Sequence, residues 1–259
     1  MLISKMPDGS PEVYKAFQGE GTTMGELCVF VRTAGCSLRC TFCDTSYTWL
    51  FDGDKLKHKY SEPVNREKHV GRVTPEELGL EIRKAAGPIR RVIFTGGEPL
   101  LQQDEILKVI DFLEEDGEFW VIEIETNGTI KFNEDLIPFV EYINCSPKME
   151  NSGNPKSQRN KPEVIEQFFD LAKDVQGPEM VIFKFVVGID TFKGDLKEIR
   201  AWQKEHDIPN NMVYLMPEGI EPEQIIEGTK YLFENACSKY GYQLSTRLQV
   251  LLYGSQRAT

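Results

Sequence analysis

Histidine is nearly missing from this chain: His58, His69 and His206 are the only three in 259 residues. None stands at ligand spacing to a cysteine, so a mixed cysteine–histidine zinc module is not legible. Basic charge is also short, with 30 Lys and Arg against 41 Asp and Glu and a net charge of −11. Tight binding to a nucleic-acid backbone needs basic surface, so direct contact with nucleic acid is not expected. No stretch approaches the roughly 18 consecutive apolar residues of a membrane span. The start, Met1-Leu-Ile-Ser-Lys-Met-Pro-Asp8, lacks a basic segment followed by a long apolar run, so a signal peptide is not expected. Cysteines number six, too unevenly placed for a disulfide framework. Cys28, Cys145 and Cys237 stand singly and read as small core residues. This usage fits a reduced, cytoplasmic setting.

What is present is concentrated in Cys36-Ser-Leu-Arg-Cys40-Thr-Phe-Cys43-Asp-Thr45. Three cysteines at C-x3-C-x2-C spacing can close on one inorganic cluster from a single loop, and thiolates are the ligands iron–sulfur clusters select. A structural zinc knuckle would pair its first cysteines with a second, distant pair, which is absent. An electron-transfer ferredoxin would want a fourth cysteine nearby, whereas Cys28 falls on an expected strand. A [4Fe–4S] cube held by three cysteines leaves one iron with an open position for a substrate or cofactor.

Length and an ordinary composition, 40% hydrophobic and 27% charged, fit one large α/β domain spanning 1–259. Residues 27–33 read as a buried strand that delivers the chain into the cysteine loop. Residues 51–72 are polar, without apolar periodicity, and read as an inserted surface loop. Thr74-Pro75-Glu76-Glu77 then signals a helix start, with its end near Gly87. Further strands are expected at 91–95, 119–125, 141–145, 180–187 and 211–216. Helices are expected at 104–115, 162–174, 193–205 and 222–238. This alternation predicts a parallel sheet with crossover helices and a partial (β/α)6 barrel. Each chemically loaded segment follows a strand, at the end where parallel α/β folds build their sites.

Together with Phe42 before the third cysteine, the loop resembles the signature of radical S-adenosylmethionine (SAM) enzymes. Thr95-Gly-Gly-Glu-Pro99, Glu125-Thr-Asn-Gly128 and Ser146-Pro-Lys148 match the same superfamily in the expected order. The resemblance implies a radical SAM type barrel and a [4Fe–4S] cluster on Cys36, Cys40 and Cys43, with SAM on the open iron. It implies SAM contacts from Phe42, Cys43, Asp44, Gly97, Glu98, Thr126, Asn127, Ser146, Pro147 and Lys148. Met216, Pro217, Glu218 and Gly219 would serve its adenosine part. An external electron donor of flavodoxin or ferredoxin type is implied as well.

The segment Phe17-Gln-Gly-Glu-Gly21, Phe30-Val-Arg32 before Gly35-Cys36, Asp44-Thr45, and Arg247-Leu-Gln-Val-Leu-Leu-Tyr253 narrow the resemblance to the 7-carboxy-7-deazaguanine synthase family. That family implies a pterin substrate, 6-carboxy-5,6,7,8-tetrahydropterin, whose ring contracts with loss of ammonia while SAM is regenerated, in 7-deazapurine and queuosine biosynthesis. It implies a homodimer and a magnesium ion, for which the Thr45 hydroxyl is the hard-oxygen ligand. Substrate contacts would come from Phe17, Gln18, Gly19, Glu20, Arg32 and Thr95, with the Arg32 fork on the pterin carboxylate and Glu20 on the aminopyrimidine edge. Glu123 and Glu125 share one strand face, where a solvated carboxylate pair is the plain alternative to a site role. Lys184 either reaches the site or snorkels from an apolar strand. The chain departs from the family in the insert at 51–72 and in continuing to Thr259 past an expected strand at 247–253. Other readings are a glycyl-radical activating enzyme, which shares the cluster spacing and Gly-Gly-Glu, and a non-catalytic iron–sulfur sensor.

Overall fold

β-Branched and aromatic runs bounded by glycine, proline and charged residues form the strands, which all join one sheet. The computed structural model describes residues 1–174 and 177–259. In chain order the strands are β1 (Leu2–Ser4), β2 (Val13–Phe17), β3 (Leu27–Thr33), β4 (Val70–Arg72) and β5 (Arg91–Gly96). They continue with β6 (Val121–Thr126), β7 (Tyr142–Cys145), β8 (Met180–Val187), β9 (Val213–Pro217) and β10 (Gln243–Leu244). The sheet runs β10-β9-β8-β7-β6-β5-β3-β1-β4, with β2 also pairing β3. Every neighbour from β3 to β10 is parallel. The path does not close on itself, which makes this a partial (β/α) barrel.

Helices Pro75–Ala86, Gln103–Glu114, Pro162–Leu171, Phe192–Glu205 and Pro222–Leu232 cover the outer face. The first carries a full capping box, Thr74 with Glu77, as the local sequence signals. Period-two alternation separates the two faces of each strand. Val29, Val31, Val92, Phe94, Ile122, Ile124, Phe183 and Phe185 belong to the main core. Their alternates Arg32, Thr95, Glu125, Asn144 and Lys184 line the barrel's interior cavity. Burying each large apolar side chain contributes about 1.5–3 kcal/mol, so the apolar outer face sets the register and thereby aims the polar set inward.

Three expectations need correction. The polar stretch 51–72 is not free of structure: Asn65 caps a short helix at Arg66–His69, β4 follows, and β4 pairs antiparallel with β1. Val-Gly-Arg carries no strand signal of its own; the free edge of β1 recruits it. Residues 247–253 are not a strand, because Leu248–Tyr253 is helical; a short apolar run does not reveal its period. The helix expected over 162–174 ends at Leu171, since Lys173 and Asp174 offer no apolar face to bury. The antiparallel strands β1 and β2 and the two-residue β10 were not legible at all. Among the described residues no helix is long and apolar enough to cross a membrane.

Candidate functional site

At the carboxyl ends of the parallel strands lies a cavity of about 580 Å³. β3 runs into the cysteine loop, and all three thiols of that loop line the cavity. Each sulfur accepts a hydrogen bond from a different part of the fold. Asn127 Nδ2 lies 3.6 Å from Cys36 Sγ, Asn154 Nδ2 3.3 Å from Cys40 Sγ, and Trp49 Nε1 3.4 Å from Cys43 Sγ. N–H donors aimed at sulfur suit thiolate ligands, whose charge they stabilise. Burial pushes the Cys36 thiol up to about 12 and the Cys40 thiol up to about 11, so ionising them calls for bound metal. Among the described residues no group of three or more His, Cys, Asp or Glu closes on a single ion. A cube whose irons each take one thiolate needs no such convergence. The donor set fits a [4Fe–4S] cluster. Cys28, Cys145 and Cys237 are buried and free, away from the cavity lining.

The Gly96-Gly97 turn at the end of β5 presses against this loop. Gly96 has a φ of +121°, and a Cβ on Gly97 would stand 1.8 Å from the Gly35 carbonyl oxygen. Only glycine permits that approach. Glu98 does not reach the cavity: it is fully buried and accepts from Thr126 Oγ1 and Asn127 N, both at 2.8 Å. Burial raises its pKa, against the pull of those bonds. Its carboxylate is a strut tying β5 to the end of β6. Pro147 is likewise absent from the cavity lining. Ser146 and Lys148 are present, with Lys148 Nζ donating to Ser146 Oγ at 2.6 Å.

Glu123 and Glu125 are no solvated pair. Glu123 is fully buried and accepts from Gln18, Thr23, Arg91 and Asn144. Burial, then the charge of Glu125, push its carboxyl up to about 7. Glu125 faces the cavity, accepting from Thr95 Oγ1 at 2.6 Å and from Gln18 Nε2 at 3.0 Å. Lys184 does not snorkel: it is buried and pairs with Glu20 at 2.5 Å. Glu20 also accepts from Arg247 Nε at 3.1 Å and Gln249 Nε2 at 2.8 Å. Its carboxylate is therefore committed to cations and an amide, and Glu125, with two neutral donors, is the less encumbered carboxylate of the two.

Arg32 lines the cavity, but its fork is partly engaged. Nε donates to Glu12 at 3.1 Å and Nη2 to the Tyr14 hydroxyl at 2.8 Å. The fully buried Glu12 also takes Tyr47 OH at 2.9 Å and Arg257, whose guanidinium lies 3.9 Å above the Tyr47 ring. Of the five guanidinium N–H groups these bonds use two, so Nη1 and the second hydrogen of Nη2 remain to meet a ligand carboxylate.

Apart from Glu98 and Pro147, every site residue expected from the sequence borders this one cavity, Phe17, Gly19, Phe42, Asp44, Thr45 and Met216 to Gly219 among them. The sequence reading missed Tyr14, Tyr47, Trp49, Tyr60 and Gln249 as cavity residues, and the segment Gly254–Thr259. Arg247 was noted only within a resemblance. Here it joins Glu20, the Gly219 carbonyl and Asp44, binding three site segments together. A buried arginine heading an apolar run was the one signal available.

Comparison with known proteins agrees with this geometry. Residues 30–203 match the family model of the Radical SAM superfamily. A 7-carboxy-7-deazaguanine synthase from Rhodopirellula baltica is 32% identical over 254 residues, covering 96% of this chain and 87% of the relative. One from Pyrobaculum aerophilum is 29% identical and covers 95% of both chains. The crystal structure of QueE from Escherichia coli superimposes with a TM-score of 0.61 at 25% identity, over 95% of this chain and 93% of that one.

Proposed function

The chain belongs to the radical SAM superfamily, and from that premise we propose that it is a 7-carboxy-7-deazaguanine synthase. It would convert 6-carboxy-5,6,7,8-tetrahydropterin to 7-carboxy-7-deazaguanine with loss of ammonia, as a carbon–nitrogen lyase of 7-deazapurine biosynthesis. The full-length similarity to synthases of that name supports the reading. The observation that carries it is one cavity shared by the three-cysteine loop and a polar barrel interior. Its volume suits a SAM molecule beside a bicyclic heterocycle, whereas a glycyl-radical activating enzyme acts on a partner protein's backbone and needs an exposed peptide groove.

When bound, the cluster and SAM together supply one-electron radical chemistry. Cys36, Cys40 and Cys43 would hold the cluster, with Asn127, Asn154 and Trp49 donating to its sulfur ligands. Polar backbone at Gly96-Gly97, with Ser146 and Lys148, would hold the methionine end. Met216 to Gly219 would hold adenosine. The Thr45 hydroxyl, 3.5 Å from the Gly96 carbonyl, would supply one oxygen to magnesium. Gln18, Thr95 and Glu125 would orient the pterin ring, and Arg32 would meet its carboxylate. Gln249 and Val250 of the helix Leu248–Tyr253, and residues 254–259 after it, line one side of the cavity. The companions of this reading are an external electron donor and a second copy in a homodimer.

Turnover of the carboxy-pterin beside uncoupled 5′-deoxyadenosine formation tests the assignment. In Arg32→Ala, turnover should fall more than about tenfold, the cost of a lost charge-assisted contact. Arg32→Lys should fail less severely, and SAM cleavage should persist in both. Wild-type turnover by Arg32→Ala would make the arginine structural.

A further inference from the structure

The stretch 51–72 has no assigned function, yet part of it walls the cavity. Tyr60 and Ser61 border the same space as Glu218 and the cysteine loop. The Tyr60 hydroxyl donates to Glu218 Oε1 at 2.6 Å, and Lys59 Nζ lies 2.6 Å from the same oxygen. Both donors meet a carboxylate whose side chain is only 9% exposed. The other end of this short segment is pinned to the cluster loop. Lys59 N donates to the Thr41 carbonyl at 2.7 Å. The His58 ring packs edge-on against Trp49 with 6.1 Å between centroids, and Trp49 in turn donates to Cys43. Pairing of Phe51 with Val64 closes the base of the excursion. Residues 58–61 therefore bridge the cluster loop and the loop after β9.

We propose that this bridge is the outer wall of the nucleoside end of the SAM site, with Tyr60 as a cofactor-binding residue. Its ring would cover the adenosine, and its hydroxyl, together with Lys59, fixes Glu218 Oε1 so that Oε2 is turned to accept from the ribose. A Cβ on Gly188 would lie 3.2 Å from that Oε2, so the carboxylate sits close against the end of β8. The inference rests on Met216 to Gly219 serving adenosine and not on the identity of the second substrate.

The experiment measures dissociation constants for SAM, and for methionine alone, on anaerobically cluster-loaded protein by equilibrium dialysis. Tyr60→Ala removes ring and hydroxyl and should weaken SAM about tenfold, the scale of a lost aromatic contact to a base. Tyr60→Phe keeps the ring and loses only the bond to Glu218, so it should weaken SAM about threefold. Methionine, which lacks the nucleoside, should bind all variants alike. Lys57→Ala, exposed on the same excursion, should match wild type. Unchanged SAM affinity in Tyr60→Ala at full iron content would overturn the proposal. Equal weakening of methionine and SAM would overturn it too, because the segment would then be scaffolding. If wild type ignores the carboxy-pterin while these binding results hold, the substrate reading falls and this inference stands.

Discussion

Replacing Arg247 by methionine removes the one cation that ties the Glu20 segment, Asp44 and the loop after β9 together. The guanidinium is buried and donates to Glu20, Gly219 and Asp44. Breaking a buried ion pair from one side typically costs about 3–5 kcal/mol. Two features discount that figure here. The Asp44 side chain is 45% exposed, so water replaces its partner, and Glu20 keeps Lys184 at 2.5 Å. A net loss of about 2–3 kcal/mol remains, or about 4–12 °C in Tm for a chain of this size. The pH dependence separates this cause from poor packing. Burial raises the Glu20 carboxyl, but Lys184 and Arg247 outweigh it and hold it at about 2, against an ordinary 4.5. A depressed carboxyl contributes stability that is complete above its unfolded pKa and is lost as pH falls from there toward the folded one. Without Arg247 less of that contribution exists to lose. Thermal unfolding followed by circular dichroism should therefore show the gap between variant and wild type narrowing from about pH 5 to pH 3. A variant that melts with wild type, or a gap constant across that window, would refute the reasoning.

Changing Cys36, Cys40 or Cys43 to Ala should abolish the cluster, read as iron content and visible absorption, while Cys28, Cys145 and Cys237 to Ser should keep it, since these lie outside the cavity. Thr45→Ala should raise the magnesium concentration for half-maximal turnover several-fold, leaving SAM affinity intact, because one oxygen ligand is lost; an unchanged half-saturation would make Thr45 a loop cap. Trp49→Phe removes the N–H donor at Cys43, so the reduced cluster loses stabilisation and its midpoint potential should become more negative in a redox titration.

Local chemistry made much of the molecule readable. Thr74-Pro75 and Glu77 announce a helix start because a capping box is a four-residue interaction. The runs feeding β3, β5 and β8 announce strands buried on both sides. The cysteine loop and the Gly-Gly-Glu, Thr-Asn and Ser-Pro-Lys segments were legible because each lies at or just past the carboxyl end of an expected strand, whereas Phe17 to Glu20 and Arg32 were carried by the family resemblance alone. What escaped depends on distant partners. β4 exists because β1 has a free edge, and Leu248–Tyr253 packs as a helix although its spacing allows either period. Glu98 reads as a ligand contact because its motif is contiguous, while the donors that hold its buried carboxylate come from the end of β6. Arg247 lies 203 residues from Asp44 and Tyr60 158 residues from Glu218, and no spacing rule connects such pairs.

The most direct measurement is an anaerobic incubation of the cluster-loaded chain with 6-carboxy-5,6,7,8-tetrahydropterin, SAM, dithionite and magnesium, followed by mass analysis of pterin, SAM and 5′-deoxyadenosine. The account expects 7-carboxy-7-deazaguanine and ammonia in equal amounts, with many products formed per SAM consumed. An untouched pterin beside stoichiometric 5′-deoxyadenosine would contradict it.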